Sequence, residues 1–226
     1  MSLGRIERIV CPKCGGEDDF AVWLSINTMD YPEVKQKIMS GEIFLFKCPK
    51  CGSETNIKYD CLYHQMENHL MIQVANNDES VKKAVEALEK ILYDNKVQAF
   101  QLLDSDYTFR IVRDNNQLRE KIYIFDHGLD DRVIELMKVI IISHLADTEP
   151  DLKVSDLLLN INEGAPEKFV LKTEDGQWTS FPFVQKTYDI IKTEILDLFA
   201  SNDDGKRSYI ININWAIDYL SSHSQK

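Results

Sequence analysis

From Phe20 to Ile26 the chain alternates, with Phe20, Val22, Leu24 and Ile26 interleaved with Ala21, Trp23 and Ser25. A period of two puts the first set on one face, so this stretch predicts a half-buried strand. Pro32 fixes the backbone for a helix start, and Gly41 supplies its stop. Ile43 to Lys47 predicts a second strand, and Thr55, Ile57 and Tyr59 a third. The first 72 residues therefore predict a three-stranded ribbon with a short inserted helix, closed by the segment from Tyr63 to Met71. Asn76-Asn77-Asp78 then breaks the apolar pattern and offers capping side chains. After it, Val81, Ala84, Val85, Leu88, Ile91 and Leu92 recur at helical spacing to about Tyr93, where Asp94-Asn95 stops the helix.

Beyond this break, Tyr107, Phe109 and Ile111 predict a strand. Asp114 with Gln117 three positions later has the form of a capping box, opening a helix that runs to Gly128. Asp130 or Asp131 caps the next helix. From Val133 to Leu145 that helix is apolar on nearly every side, which predicts a place inside a core. Leu157 to Ile161 and Phe169 to Lys172 predict strands, and Asp175-Gly176 predicts a hairpin before Trp178, Phe181 and Phe183. Pro182 suits an edge strand. Tyr188, Ile191, Ile195 and Leu198 predict a helix ending at the polar turn Ser201 to Gly205. A strand at Tyr209, Ile211 and Ile213 and a helix from Trp215 to Leu220 complete the prediction. The fold class is α+β: an N-terminal Cys₄ zinc-ribbon-like β domain over residues 1–75 with an inserted short helix, then a C-terminal α+β domain over residues 79–226.

The chemistry is concentrated in two copies of one tetrapeptide, Cys11-Pro12-Lys13-Cys14 before Gly15 and Cys48-Pro49-Lys50-Cys51 before Gly52. Two sulfurs separated by two residues reach one ion only if the chain turns sharply. Proline fixes φ entering that turn, and glycine allows positive φ leaving it. Cys11, Cys14, Cys48 and Cys51 thus predict one closed, structural Zn²⁺ site, with Fe as the alternative ion. A thioredoxin-like redox pair needs neither the second copy nor this context. The spacer between the knuckles is 33 residues long. Each doubling of such a loop costs about 0.6 kcal/mol, small against the ~10–16 kcal/mol of structural zinc binding. Lys13, Lys47 and Lys50 offset part of the charge of −2 left by four thiolates on a divalent ion. Cys61, beside Leu62 and Tyr63, reads as a buried apolar residue. His64 and His69 read as packing or surface residues, since the cysteines already supply four ligands.

The chain carries a formal charge of −11 over 226 residues. Residues 1–72 hold eight basic and ten acidic side chains, and the remainder 18 and 27. Neither part has the cationic footprint of a nucleic-acid binder, so nucleic acid is set aside and a protein partner is expected. No apolar run reaches membrane-spanning length, Val139 to Ile142 being among the longest, and no leader pattern opens the chain. Four reduced thiols fit a reducing compartment, which gives a cytoplasmic expectation.

The N-terminal part resembles the CpXC domain family on more than its cysteines. Asn27, Pro32, the helix ending at Gly41, Phe44 and Phe46 before the second knuckle, and Leu62-Tyr63-His64 all stand where that family places similar residues. The resemblance covers about the first third of the chain and reaches the helices from Leu118 to Leu136. It implies a bacterial protein with a metal site on the four cysteines and points to no reaction.

No Gly-x-Ser-x-Gly, Gly-x-x-x-x-Gly-Lys, Gly-x-Gly-x-x-Gly or His-Glu-x-x-His motif occurs. The carboxylate pairs Asp104/Asp106 and Asp203/Asp204 stand in polar segments, and Asp126 to Asp131 matches a glycine C-cap followed by an aspartate N-cap. The expected function is a non-catalytic zinc protein presenting a regulatory or protein-binding surface. A rubredoxin-like iron electron carrier and an enzyme with its site in the C-terminal domain are the alternatives.

Overall fold

The computed structural model describes residues 2–93, 107–160, 167–201 and 208–223. The chain forms two compact units, Met1–Arg119 and Glu120–Lys226. In the first, β1 (Leu3–Val10), β2 (Glu17–Asn27), β5 (Cys61–Gln65), β6 (Leu70–Val74) and β7 (Thr108–Val112) form a five-stranded sheet in the order β1-β2-β5-β6-β7. Its pairings alternate: β1/β2 and β5/β6 are antiparallel, β2/β5 and β6/β7 parallel. A separate two-stranded ribbon pairs β3 (Leu45–Lys47) with β4 (Glu54–Asn56). The N-terminal β domain is present, but its strands are divided between this ribbon and the larger sheet.

Alternation explains the burial within that sheet. Cys61, Tyr63 and Gln65 of β5 are buried opposite Val74, Ile72 and Leu70 of β6. The Tyr63 hydroxyl donates to Gln65 Oε1 at 2.9 Å, so the pair enters the interior without an unmet hydrogen bond. β1 has little apolar periodicity, and its pairing signal is charge: Arg8 lies 3.3 Å from Glu17 and 3.2 Å from Asp19 across the hairpin.

Helix α1 (Pro32–Ser40) begins at its proline and ends at Gly41, which has φ 81° and donates to the Ile38 carbonyl at 2.9 Å. The chain then makes a 3₁₀ turn over Glu42–Phe44, so the strand expected from Ile43 starts only at Leu45. Helix α2 (Asp78–Tyr93) follows Asn77, whose side chain accepts the Ser80 amide at 2.9 Å. The boundary expected between residues 75 and 79 lies inside the first unit, because β7 pairs with β6 and carries the sheet past it. Asp114 accepts the amides of Asn116 and Gln117 at 2.9 Å to start α3 (Asn115–Asp126). Gln117 reaches back to the Arg113 amide, one residue before the cap, so the box is offset by one position.

The second unit stacks helices on a three-stranded antiparallel sheet of order β10-β9-β8, comprising β8 (Val154–Leu159), β9 (Lys168–Thr173) and β10 (Trp178–Pro182). Pro182 is on an edge strand, where its missing donor costs no ladder bond. Phe169 and Leu171 of β9 meet Val133, Ile134 and Met137 of α4 (Asp131–Thr148) in one core, with Tyr188 of α5 (Gln185–Ser201). Asp130 caps α4, accepting the Arg132 amide at 2.9 Å.

Two expectations fail here. Helix α4 is not apolar throughout: Asp131, Glu135 and Lys138 are buried, while Ile140 is 50 % exposed. The strand at Tyr209–Ile213 does not form, because Asn212 accepts the Trp215 amide at 3.0 Å and opens α6 (Ile213–His223) instead. Ile161, Asp94-Asn95, Asp104/Asp106 and Asp203/Asp204 lie outside the described residues. Among the described residues no helix is long and apolar enough to cross a membrane.

Candidate metal centre

Each cysteine knuckle is the loop of an antiparallel hairpin. β1 runs into Cys11, and β2 leaves at Glu17; β3 runs into Cys48, and β4 leaves at Glu54. The registers match, with Val10 opposite Glu17 and Lys47 opposite Glu54. So do the hydrogen bonds. Cys11 N–H donates to the Gly16 carbonyl at 2.8 Å and Cys48 N–H to the Ser53 carbonyl at 2.9 Å. Gly15 and Gly52 donate back to the carbonyls of Cys11 and Cys48 at 2.9 and 2.8 Å, with φ of 69° and 70°. That left-handed φ is the conformation the glycines were expected to supply.

The two loops bring all four sulfurs together, within 4.8 Å of one another. Cys11 Sγ is 3.7 Å from Cys51 Sγ, and Cys14 Sγ is 3.6 Å from Cys48 Sγ. Four sulfurs at ~2.3 Å from one ion stand about 3.8 Å apart at the corners of a tetrahedron, so the donor set fits a tetrahedral thiolate-bound metal. Cys11 and Cys48 are buried against Phe46, with Ile9, Phe20 and Ile57 around them, while Cys51 faces solvent. Phe20 meets Phe46 edge-on at 6.1 Å. The sulfurs rest on an apolar floor that screens them from water on one side.

A family model described as CpXC protein matches residues 9–138, more than half of the chain and all four cysteines. The chain belongs to the CpXC family. Compared with curated proteins and with solved structures, it finds no match.

Two residues of this CpXC centre are invisible to the cysteine spacing. Ser53 Oγ lies 3.2 Å from Cys11 Sγ and 3.0 Å from Cys51 Sγ, tying the knuckles together. Its hydrogen bond holds the Cys11 thiol down at about 6 and also lowers Cys51. Gly16, at the equivalent position of the first knuckle, donates its amide to Cys14 Sγ at 3.4 Å. That amide pulls the Cys14 thiol down, but the neighbouring thiols, Cys51 first, and burial outweigh it and push Cys14 up to about 11. A Cβ on Gly16 would stand 3.1 Å from Lys50 Cδ and 3.3 Å from Cys14 Sγ, so the Lys50 stem crosses the first knuckle where a side chain would sit. The available signal was the mismatch between the two copies, Gly15-Gly16 against Gly52-Ser53.

Lys47 lies 3.5 Å from Glu54, its cross-strand neighbour. Cys61 stays apart from the cluster, 1 % exposed, and burial pushes its thiol up to about 12. His64 Nε2 meets Tyr107 Oη at 3.0 Å, and His69 stacks on the same ring at 5.1 Å, so both histidines pack rather than join the sulfurs. His127 Nδ1 turns back onto the Tyr123 carbonyl at 2.7 Å and Asp130 is a helix cap, as local chemistry predicts, whereas Asp131 is buried and pairs with Lys121 at 2.9 Å.

Proposed function

We propose that this CpXC protein is a non-catalytic zinc protein of the cytoplasm, in which one structural Zn²⁺ on Cys11, Cys14, Cys48 and Cys51 staples two hairpins so that the folded surface can bind a protein partner. The carrying observation is the closed donor set. Four thiolates fill a tetrahedral ion and leave no position for water or substrate, which is the arrangement of structural rather than catalytic zinc. The apolar floor of Phe20, Phe46 and Ile57 supports the same reading, because the ion then ties chain segments around a small core. The acidic balance favours a protein partner over nucleic acid.

The Gly16 amide on Cys14 Sγ favours a second reading, a rubredoxin-like iron centre, since hydrogen bonds to sulfur tune the potential of iron–thiolate sites. Metal analysis of protein isolated from its native host decides between them. About one zinc per chain in a colourless, redox-silent protein is expected. Bound iron with a reversible one-electron couple would replace the structural reading with electron transfer.

A further inference from the structure

The first unit carries a half-open cleft of about 410 Å³ between β2 and α1, at the small end of the range for ligand sites. Strand alternation sets Asp19, Ala21 and Trp23 on one face of β2, and helical spacing sets Val34 and Lys37 opposite them. Val34 and Ile43 are buried and give the cleft an apolar base. Trp23 and Tyr31 meet at 5.6 Å with their planes 66° apart, so two ring faces form a corner. Gly4, the cross-strand neighbour of Trp23, leaves the indole room, since a Cβ there would touch it at 3.5 Å.

The charges around this corner do not cancel. Asp19 is matched by Arg8 at 3.2 Å, and Glu42 by Lys37 at 3.9 Å. Glu33, exposed in the first turn of α1, has no ion-pair or hydrogen-bond partner among the described residues. One unmatched carboxylate beside a two-ring corner and an apolar base is complementary to a single cation on an apolar stem. The rings attract the cation through their quadrupoles, the carboxylate supplies the counter-charge, and the base covers the methylenes.

We propose that this cleft binds a lysine or arginine side chain of a partner protein, with Trp23 and Tyr31 as ring walls and Glu33 as the counter-ion. This rests on the reading of the chain as a protein-binding module. It gives that module a recognised residue type.

The probe is a set of uncharged Gly/Ser peptides, each carrying a single central Lys, Arg, Glu or Leu, titrated into the full metal-loaded chain and followed by ¹⁵N NMR. Saturable shifts at the Trp23 indole and the α1 amides are expected with Lys or Arg, and none with Glu or Leu. Trp23→Leu should weaken binding about tenfold and Trp23→Tyr much less. Glu33→Gln should weaken it about threefold, an effect that salt diminishes. Spectra retaining the wild-type pattern elsewhere show that the variants fold. Shifts spread over the acidic surface, equal binding of the Leu peptide, or unchanged affinity in a folded Trp23→Leu chain would overturn the assignment. Self-association abolished by Trp23→Leu would overturn it too, by giving the cleft to a second copy. Failure of the metal experiment leaves this titration unaffected. A protein ligand whose affinity is unchanged by Trp23→Leu and Glu33→Gln would sink the cleft while leaving the partner reading intact.

Discussion

The two units bury polar chemistry in opposite ways. The first gathers four thiols into one cluster on an apolar floor. The second buries five charged side chains, and there the chain supplies both signs itself. Lys121 Nζ lies 2.9 Å from Asp131 and 3.2 Å from Glu135, and Lys138 Nζ lies 2.9 Å from Glu120 and 3.0 Å from Glu135. Glu120 also accepts the Leu159 amide at 2.6 Å. All five are less than 5 % exposed. Isolated charges at such depth would cost several kcal/mol each, and they persist because every one is paired. Under the structural-metal proposal the sulfur cluster draws its stability from an ion taken up from solution, whereas the ionic network is complete within the chain.

The largest expected effect tests that dependence. Replacing Cys48 with Ser, or stripping metal with a chelator, should remove on the order of 10 kcal/mol of metal-linked stability from the first unit. NMR of the full chain should show the signals of residues 2–93 collapse while those of Glu120–His223 keep their dispersion. A first unit unchanged after complete metal removal would sink the structural role, and loss of both units together would erase the contrast.

Lys138→Met tests the other half. It leaves Glu120 and Glu135 facing a methyl group, and removal of one partner from a buried ionic network costs about 3–5 kcal/mol. Burial works against the Lys138 ammonium, but Glu120 and Glu135 outweigh it and hold its pKa above the ordinary lysine range. A raised folded pKa contributes stability that is present in full below the ordinary value of 10.5 and is lost as pH rises through the folded value. Denaturant melts of the wild type should therefore show an alkaline loss for the second unit that Lys138→Met lacks. Metal content should be the same in both proteins.

These two regions were not equally legible in the sequence. The four-cysteine cluster could be read because its sulfurs, turn prolines and glycines are contiguous, and a repeated tetrapeptide carries its own internal check. Glu120, Lys121, Asp131, Glu135 and Lys138 lie on two helices where charges normally face water, and only the pairing of α3 with α4 turns them inward. No periodicity announces that. The inner helices, the β9–β10 hairpin and the caps at Asp114 and Asp130 followed local chemistry and were legible. β1 and β7 were harder to place, β1 because its pairing rests on cross-strand charge, and β7 because a parallel partnership has no local turn to announce it. Asn212 shows the same limit in reverse, as one capping side chain overrode an alternating pattern.

Ser53→Ala sharpens the comparison at smaller scale. Ser53 touches Cys11 and Cys51 without being a ligand, and loss of such outer contacts typically lowers metal affinity about tenfold or more. Competition with a chromophoric chelator should show that loss while one metal per chain is still bound at saturation. An unchanged affinity would reduce Ser53 to a turn residue.

The smallest effect comes from a matched pair of glycines. Gly52 has φ 70° in the second knuckle and Gly176 has φ 87° in the β9–β10 hairpin, and a Cβ would meet no atom within 4 Å at either. Alanine at both should therefore cost only the strain of a left-handed backbone, roughly 1 kcal/mol each. The readout should differ with the unit. Under the proposed coupling of metal binding to folding of the first unit, Gly52→Ala should appear as roughly fivefold weaker metal binding, the equivalent of about 1 kcal/mol. Gly176→Ala should leave metal affinity unchanged and lower the second unit's melting temperature by about 4–8 °C. If both variants lowered melting temperature alike and neither moved metal affinity, the knuckle would be a preformed turn rather than one completed by its ion.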